Sequence, residues 1–352
     1  MIQSNHKMAR TKIRNHSPRG WSCLELNTSK KMADHLKQSL VAGLTSSPKY
    51  IPAWYNYDIV GSRLQHECGK VNQDYYLTRS NISVLEHSVQ DIIPNVPYDL
   101  TLVDLGSGNC SKTKILIDEL LKRQTALTFY PIDISGDFLL EAVKELSEEY
   151  DDSLVVHPIA ADYVQGIDQL KRIEGAKLIL WIGSIINLSY DDQVNTLRMI
   201  STIMTDKCRL VFSADITQDR KAILKAYNDE AGVIRTFYEY GIARLNKEEG
   251  SDIDLARFTY EVDFISDSDP QYMSNVRAYI QAKEAIRYPI PGLKTDLVME
   301  KGERLYLNEG SGISCKYTLE QLQNIVKKSG LRLEDTWTDE QQHAVFCRCE
   351  TV

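Results

Sequence analysis

Between Leu100 and Phe212 short apolar runs alternate with amphipathic stretches, and this alternation limits the fold more than any other feature of the sequence. Leu102–Leu105, Leu127–Ile132, Leu154–Ile159, Leu178–Ile182 and Leu210–Phe212 read as buried strands. Helical stretches lie between them near 111–123, 136–149, 163–173 and 191–204, the last opened by Ser189 and Asp192 in a variant of the capping box. Strands separated in this way by helices form a parallel sheet covered on both faces. The expected fold class is α/β, a doubly wound, Rossmann-like sheet.

Outside this block the pattern is different. Met32, Leu36, Leu40 and Leu44 recur every four residues and predict a helix over about 32–44, with Ser29 as its cap. Two aromatic groups follow in sequence that reads as loop, Tyr50 to Tyr57 and Tyr75–Tyr76, which either pack a small core or line a pocket. After Tyr227 the alternation stops. Phe258–Ile265, Val276–Ile286 and Leu297–Leu307 read as strands without strong helices between them, as an inserted antiparallel unit would. A helix at about 319–328 and strands at Leu331–Trp337 and Ala344–Cys349 then resume the α/β pattern. A chain of 352 residues is long for one core, so two domains, or one with an insertion, are expected.

Charge and composition exclude several classes of function. Residues 1–31 hold seven Lys/Arg against Glu25, a net +6 that leaves −14 for the rest of a chain whose total is −8. An acidic body does not suit general nucleic-acid binding, which needs a basic face against phosphate. The basic stretch reads as a disordered tail. No apolar run approaches the roughly 18 residues of a membrane helix, and no signal-peptide core is visible, so a cytoplasmic protein is expected. The seven cysteines are scattered and read as free thiols, and neither they nor the seven histidines have metal-ligand spacing.

The sharpest local signal runs from Leu102 to Thr113, where a strand enters a glycine turn, Gly106-Ser-Gly108, and a helix begins near Ser111. Glycines there let a ligand approach the backbone, and a new helix N-terminus favours negative charge. One reading is a phosphate-binding P-loop, since Gly106 and Ser111-Lys112-Thr113 match its pattern except that Ser111 replaces the second glycine. The other is a site for S-adenosylmethionine, with Asp104 accepting from the ligand's amino group. Asp104 would repel phosphate, which favours the second. Asp133 at the end of the next strand suits a ribose diol, and Asp162 with Tyr163 after the third suits adenine. One such acid can be a helix cap; three at successive strand ends point to a nucleoside.

Several segments occur together and in a fixed order: Ala42-Gly-Leu-Thr-Ser-Ser-Pro-Lys49, Tyr57-Asp-Ile-Val-Gly-Ser62, Tyr75-Tyr-Leu-Thr-Arg79, Leu105-Gly-Ser-Gly108, Ser111-Lys-Thr113, Ala226-Tyr-Asn-Asp-Glu-Ala-Gly-Val233, Ser314-Cys-Lys-Tyr317 and Trp337-Thr-Asp339. With them the chain resembles the histidine Nα-methyltransferases of ergothioneine biosynthesis and the related fungal dimethylallyltryptophan N-methyltransferases. The resemblance runs from about Leu36 to Phe346. It implies a class I methyltransferase domain, 80–226 with 313–352, and a substrate-binding domain, 32–79 with 227–312. It would place S-adenosylmethionine on Gly106, Lys112, Asp133, Asp162 and Tyr163, to which the reading of the glycine turn adds Asp104 and Gly108. The resemblance places the substrate's carboxylate on Asn187 and Tyr227, its amino group near Tyr57 and its pocket wall at Tyr75. Tyr57 would orient the amine and relay its proton.

Two departures bear on the substrate. The segment Gly183-Ser-Ile-Ile-Asn187-Leu188 is one residue shorter than in the family. In the histidine enzymes a glutamate two residues before the serine grips the imidazole with it; here Ser314 remains and Gly312 stands in the glutamate's place, with Glu309 nearby. A charge-assisted hydrogen bond of roughly 1.5–3 kcal/mol is thereby lost. The expectation is a bulkier aromatic amino acid, tryptophan- or tyrosine-like, with histidine as the alternative and a small-molecule partner in either case.

Overall fold

A computed structural model describes residues 24–25, 30–266, 273–307 and 314–352. The basic side chains of 1–31, the Ser29 cap, Cys23, Glu309 and Gly312 lie outside the described residues. The first elements are β1 (Leu24–Glu25), α1 (Lys30–Thr45), β2 (Lys49–Tyr50), α2 (Ile59–Val71) and α3 (Tyr76–Ile92). Helix α1 is the one expected from the four-residue repeat, with Leu40 and Leu44 buried.

The aromatic stretch, by contrast, is not loop. Tyr75 is the residue before α3, and α2 fills most of the space between the two tyrosine groups. Asp58 caps α2 by accepting from the Gly61 N–H at 2.8 Å. Valine and glycine weaken the helical signal of α2, but Gly61 is required by packing, since a Cβ there would lie 1.7 Å from the Asn56 carbonyl oxygen.

Strand and helix then alternate: β3 (Thr101–Leu105), α4 (Ser111–Leu120), β4 (Leu127–Asp133), α5 (Gly136–Tyr150), β5 (Leu154–Val156), β6 (Ile159–Ala160), α6 (Tyr163–Leu170), β7 (Lys177–Ile182), α7 (Tyr190–Ser201) and β8 (Arg209–Asp215). The expected third strand is broken into β5 and β6 around His157-Pro158, because proline has no N–H for the ladder. Ser189 caps α7, accepting from the Asp192 N–H and donating its hydroxyl to the Asp192 carboxylate.

Beyond β8 lie α8 (Arg220–Tyr227), α9 (Val233–Glu248), β9 (Phe258–Ile265), β10 (Ser274–Ala282), β11 (Ile286–Ile290), β12 (Thr295–Met299), β13 (Arg304–Tyr306), β14 (Cys315–Lys316), α10 (Leu319–Lys328), β15 (Leu331–Thr338) and β16 (Ala344–Thr351). No α-helix lies between β9 and β13 among the described residues, as the sequence pattern implies, but the 16-residue α9 ahead of them is not announced by that pattern. Its β-branched and aromatic start reads as strand, but the Asp229 carboxylate accepts from the Val233 and Ile234 N–H groups at 2.9 and 3.0 Å and nucleates a helix. The two long strands expected at 276–286 and 297–307 are each divided by a turn into β10–β11 and β12–β13.

The larger sheet has nine strands in the order β1-β6-β4-β3-β7-β8-β16-β15, with β5 also on β4. All its strands run the same way except β16, which pairs antiparallel with β8 on one side and β15 on the other. Leu102, Leu178 and Leu180 face one apolar core with α3, α4 and α5. Val103, Ile179 and Trp181 face the other with α6, α7 and α10. Alternation along fully buried strands thus covers both faces, as a doubly wound sheet requires. A second sheet runs β14-β10-β13-β2 with β9 on β10. Its β2 comes from the segment before α2 and pairs with β13 in parallel, so residues far apart in sequence complete it. Among the described residues no helix is long and apolar enough to cross a membrane, and the six described cysteines are free and buried.

Candidate active site

Strand β3 ends in the glycine turn. Gly106 has φ 76° and Gly108 φ 55°. At Gly106 the need is also steric, since a Cβ would lie 2.8 Å from the Ser184 Oγ and 3.2 Å from the Tyr163 hydroxyl. The turn is fastened to β4: the Gly106 N–H donates to the Ile132 carbonyl at 2.8 Å, and the Gly108 N–H donates to Asp133 Oδ2 at 2.8 Å. Asp133 Oδ1 accepts from the Ser135 N–H at 2.9 Å. Burial raises the Asp133 pKa against these backbone donors.

Asp104 is buried at 3% exposure beneath the turn and accepts from the Thr113 hydroxyl. Burial pushes its pKa up to about 6, with Thr113 and Lys112 opposing. Lys112 is lowered by burial and supported by Asp104. Asp162 is exposed and caps α6, accepting from the Gln165 N–H at 2.8 Å. Tyr163 sets its ring edge-on to Trp181, centroids 5.4 Å apart, and is hydrogen-bonded to Ser184. The hydroxyl of Tyr163 therefore borders the glycine turn. From α2, neutral His66, its pKa lowered by burial, accepts at Nε2 from the Asn109 amide at 3.1 Å.

A cavity beside this turn is lined by Tyr57, Tyr75, Asn187, Tyr227 and Ser314 together with Gln65, Cys68, Gly183, Ile186, Ile234, Phe237 and Tyr238. Tyr57 follows a short 3-10 turn (Ala53–Asn56) and packs its ring on Phe237 at 5.6 Å. Burial raises its pKa, as do the nearby Tyr75, Tyr163 and Asp133, which places Tyr57 between the cavity and the glycine turn. Asn187 ends the 3-10 turn Ile185–Asn187 after β7. Tyr75 packs edge-on to Tyr227 at 5.7 Å and is hydrogen-bonded to it. No charged side chain lines the cavity among the described residues.

Ser314 has φ 92°, a conformation that costs an L-residue free energy unless its surroundings hold it. Here they do. The Ser314 N–H donates to the Ile186 carbonyl at 3.2 Å, the Ser314 carbonyl accepts from the Val276 N–H at 3.2 Å, and the Ser314 and Tyr227 hydroxyls share a short hydrogen bond. Directly behind lies Lys316, which is fully buried with Asp215 as its partner at 3.0 Å.

The family described as "Histidine-specific methyltransferase, SAM-dependent" matches residues 36–351. The chain belongs to that family. Two similar relatives are the proteins named histidine N-alpha-methyltransferase of Mycolicibacterium smegmatis and Mycobacterium tuberculosis. They are 28% and 26% identical, over 87% of this chain and 92% and 91% of theirs. A 4-dimethylallyltryptophan N-methyltransferase of Epichloe festucae var. lolii is 23% identical over 87% of this chain and 92% of its own.

This methyltransferase uses S-adenosylmethionine, and its glycine turn fits that ligand. Gly106 leaves open a space that any Cβ would fill, and the buried Asp104 and half-buried Asp133 flank the turn where a phosphate would be repelled. The P-loop reading finds no support. Of the residues named from the sequence, Gly106, Gly108, Lys112, Asp104 and Asp133 gather at the turn, with Tyr163 at its edge.

Sequence reasoning missed Gln65, Cys68, Ile234, Phe237 and Tyr238, all on α2 and α9, the helices it also missed. It also missed Asp215. That residue was open to the same rule that singled out Asp104 and Asp133, since it too is an acid at the end of a parallel strand.

Proposed function

We propose that this methyltransferase acts on the α-amino group of an aromatic or heteroaromatic amino acid, a tryptophan- or tyrosine-like side chain being preferred over histidine. The observation that carries this reading is the common cavity of Tyr57, Tyr75, Asn187, Tyr227 and Ser314, which come from five separate segments of the chain. In this reading Asn187 and Tyr227 hold the carboxylate, Tyr57 the amine, and Tyr75 and Ser314 the remainder. Gly106, Gly108, Lys112, Asp104, Asp133, Asp162 and Tyr163 hold the methyl donor. Residues 80–226 with 313–352 form the donor domain, and 32–79 with 227–312 the substrate domain.

S-adenosylmethionine supplies an electrophilic methyl group on a sulfonium. What the chain must do is align a neutral amine lone pair with it, so positioning dominates over acid–base chemistry. Burial among Tyr57, Tyr227, Phe237 and Tyr238 shifts the amine toward its neutral form. Tyr57 keeps its proton at neutral pH, because burial raises its pKa. Its oxygen therefore accepts from an amine N–H, which leaves the lone pair free for the methyl group, and as a neutral hydroxyl it relays the released proton toward solvent water rather than acting as a tyrosinate base. Aromatic faces also favour a methylated ammonium by cation–π attraction, which supports repeated transfer up to the trimethylated product.

The preference for a bulky aromatic side chain rests on the uncharged lining and on Gly312 in the place of the imidazole-binding glutamate. Histidine is the second reading, favoured by the description of the family and by the names of the mycobacterial relatives. A screen of amino acids and amines with mass detection of methylated products decides between them. Methylation of tryptophan or tyrosine derivatives ahead of histidine supports the first reading, and the reverse order supports the second. Turnover of no amino acid overturns both.

A further inference from the structure

Behind the wall formed by Tyr227 and Ser314 lies an ion pair that touches neither the glycine turn nor the cavity. Lys316 and Asp215 are both fully buried, Nζ to Oδ2 3.0 Å. Asp215 also accepts from the Tyr76 hydroxyl at 3.0 Å and, at Oδ1, from the Thr217 N–H at 3.0 Å. Lys316 has three N–H donors. One meets Asp215, one the Tyr227 hydroxyl at 3.2 Å and one the Ser314 carbonyl at 3.2 Å, with the Ser314 Oγ at 3.5 Å.

The pair is polarised. Lys316 bonds the two residues that face the cavity, whereas Asp215 bonds residues behind it. The positive end of the pair therefore points toward the cavity, and the anion is spent on Tyr76 and Thr217. By donating to the Tyr227 oxygen, Lys316 occupies an acceptor position there and turns the hydroxyl's own proton away from itself. Tyr75, Tyr227 and Ser314 then form a chain of hydroxyls with a donor to spare, which is the arrangement that suits an anion and not a cation or an apolar group.

We propose that Lys316, held by Asp215, is the positioning residue that makes this wall select substrates with a carboxylate. The inference rests on the amino-acid reading above and deepens it: the enzyme would discriminate an amino acid from the amine left after decarboxylation, although no charged side chain lines the cavity among the described residues. Burying such a pair is costly and is seldom favourable for stability alone.

The test compares tryptophan with tryptamine, and histidine with histamine, in the wild type, Lys316→Met, and the double variant Lys316→Met/Asp215→Leu. The double variant removes the whole pair and so leaves no unpaired buried acid. Affinity for S-adenosylhomocysteine, whose site is elsewhere, checks that each variant is folded; where Lys316→Met fails that check, the double variant is read.

The expected result is a rise of about tenfold or more in the amino-acid KM, a change of less than about threefold in kcat/KM for the amine, and so a collapse of the preference for the amino acid. Equal losses on amino acid and amine with cofactor affinity intact, or an unchanged preference, overturn the proposal. A wild type that methylates no amino acid overturns the underlying reading instead, so the two failures are distinguishable.

Discussion

The backbone N–H of Gly108 donates to the carboxylate of Asp133 at 2.8 Å, so the glycine turn and the acid at the end of the second strand form one unit. Removing the carboxylate acts twice: it deletes the expected acceptor for the ribose hydroxyls and it releases the turn. Each bond to a charged group contributes about 1.5–3 kcal/mol, so Asp133→Ala is expected to weaken S-adenosylhomocysteine binding by roughly 10–100-fold. Calorimetry measures this directly, and unchanged affinity would refute the assignment.

Tyr227→Phe separates the two halves of the site. Its hydroxyl meets Ser314 and Lys316 at the cavity wall, away from the glycine turn. The amino-acid KM is expected to rise roughly tenfold, the loss of one hydrogen bond to a charged carboxylate, while cofactor affinity stays as it was. Parallel losses in both would show that Tyr227 supports the fold rather than the substrate.

The doubly wound sheet was legible because its strands are buried on both faces and so read as continuous apolar runs, as in residues 178–182 of β7, all of them buried. The strand-end acids were legible for the same reason, each being a charge where an apolar run stops. Helices α2 and α9 were not, because most of their apolar residues are β-branched, aromatic or glycine. They are helical through capping by Asp58 and Asp229 and through packing against each other, which is a long-range fact. The cavity residues on these helices were hidden with them. Lys316 was visible in the Ser314–Tyr317 segment, but nothing local says that its partner stands about a hundred residues away on β8.

Gly312→Glu tests the reason for expecting a bulky aromatic substrate. By the resemblance to the histidine enzymes, a carboxylate two residues before Ser314 is expected to form with it a pair that suits an imidazole. The ratio of kcat/KM for histidine to that for tryptophan is expected to rise by roughly tenfold or more, in line with one charge-assisted hydrogen bond. A ratio that does not move in competition assays would mean that residue 312 does not face the side-chain pocket.

Ser314 adopts φ 92° while its hydroxyl serves the cavity. Strain of this kind costs about 1–3 kcal/mol and is kept where function needs it. Ser314→Gly removes both the strain and the hydroxyl. The variant is expected to be as stable as the wild type or more so in urea denaturation, and to have a raised amino-acid KM. A clear loss of stability would mean that the hydroxyl's bond to Tyr227 outweighs the backbone strain.

Asp104 gives a pH dependence whose sign can be worked out. Burial holds its folded-state pKa at about 6, above the ordinary carboxylate value, so between about pH 4 and 6 the folded chain binds this proton and the unfolded chain does not. Stability rises with pH only where the unfolded state holds more protons. Here the folded state holds more, so this group's contribution falls as pH rises through that window and is level above it. The size is about 3 kcal/mol for a shift of roughly two units.

Surface carboxylates held low by ion pairs, such as Glu334 beside Arg348 and Arg209, act in the opposite direction, so the wild-type curve alone does not isolate Asp104. Asp104→Asn does, because its amide keeps the shape and cannot ionise. Urea unfolding at pH 5 and pH 7 should show that the variant gains stability relative to the wild type at pH 7 compared with pH 5. An identical difference at the two pH values would place the Asp104 pKa at its ordinary value and remove the buried acid from the account of the glycine turn.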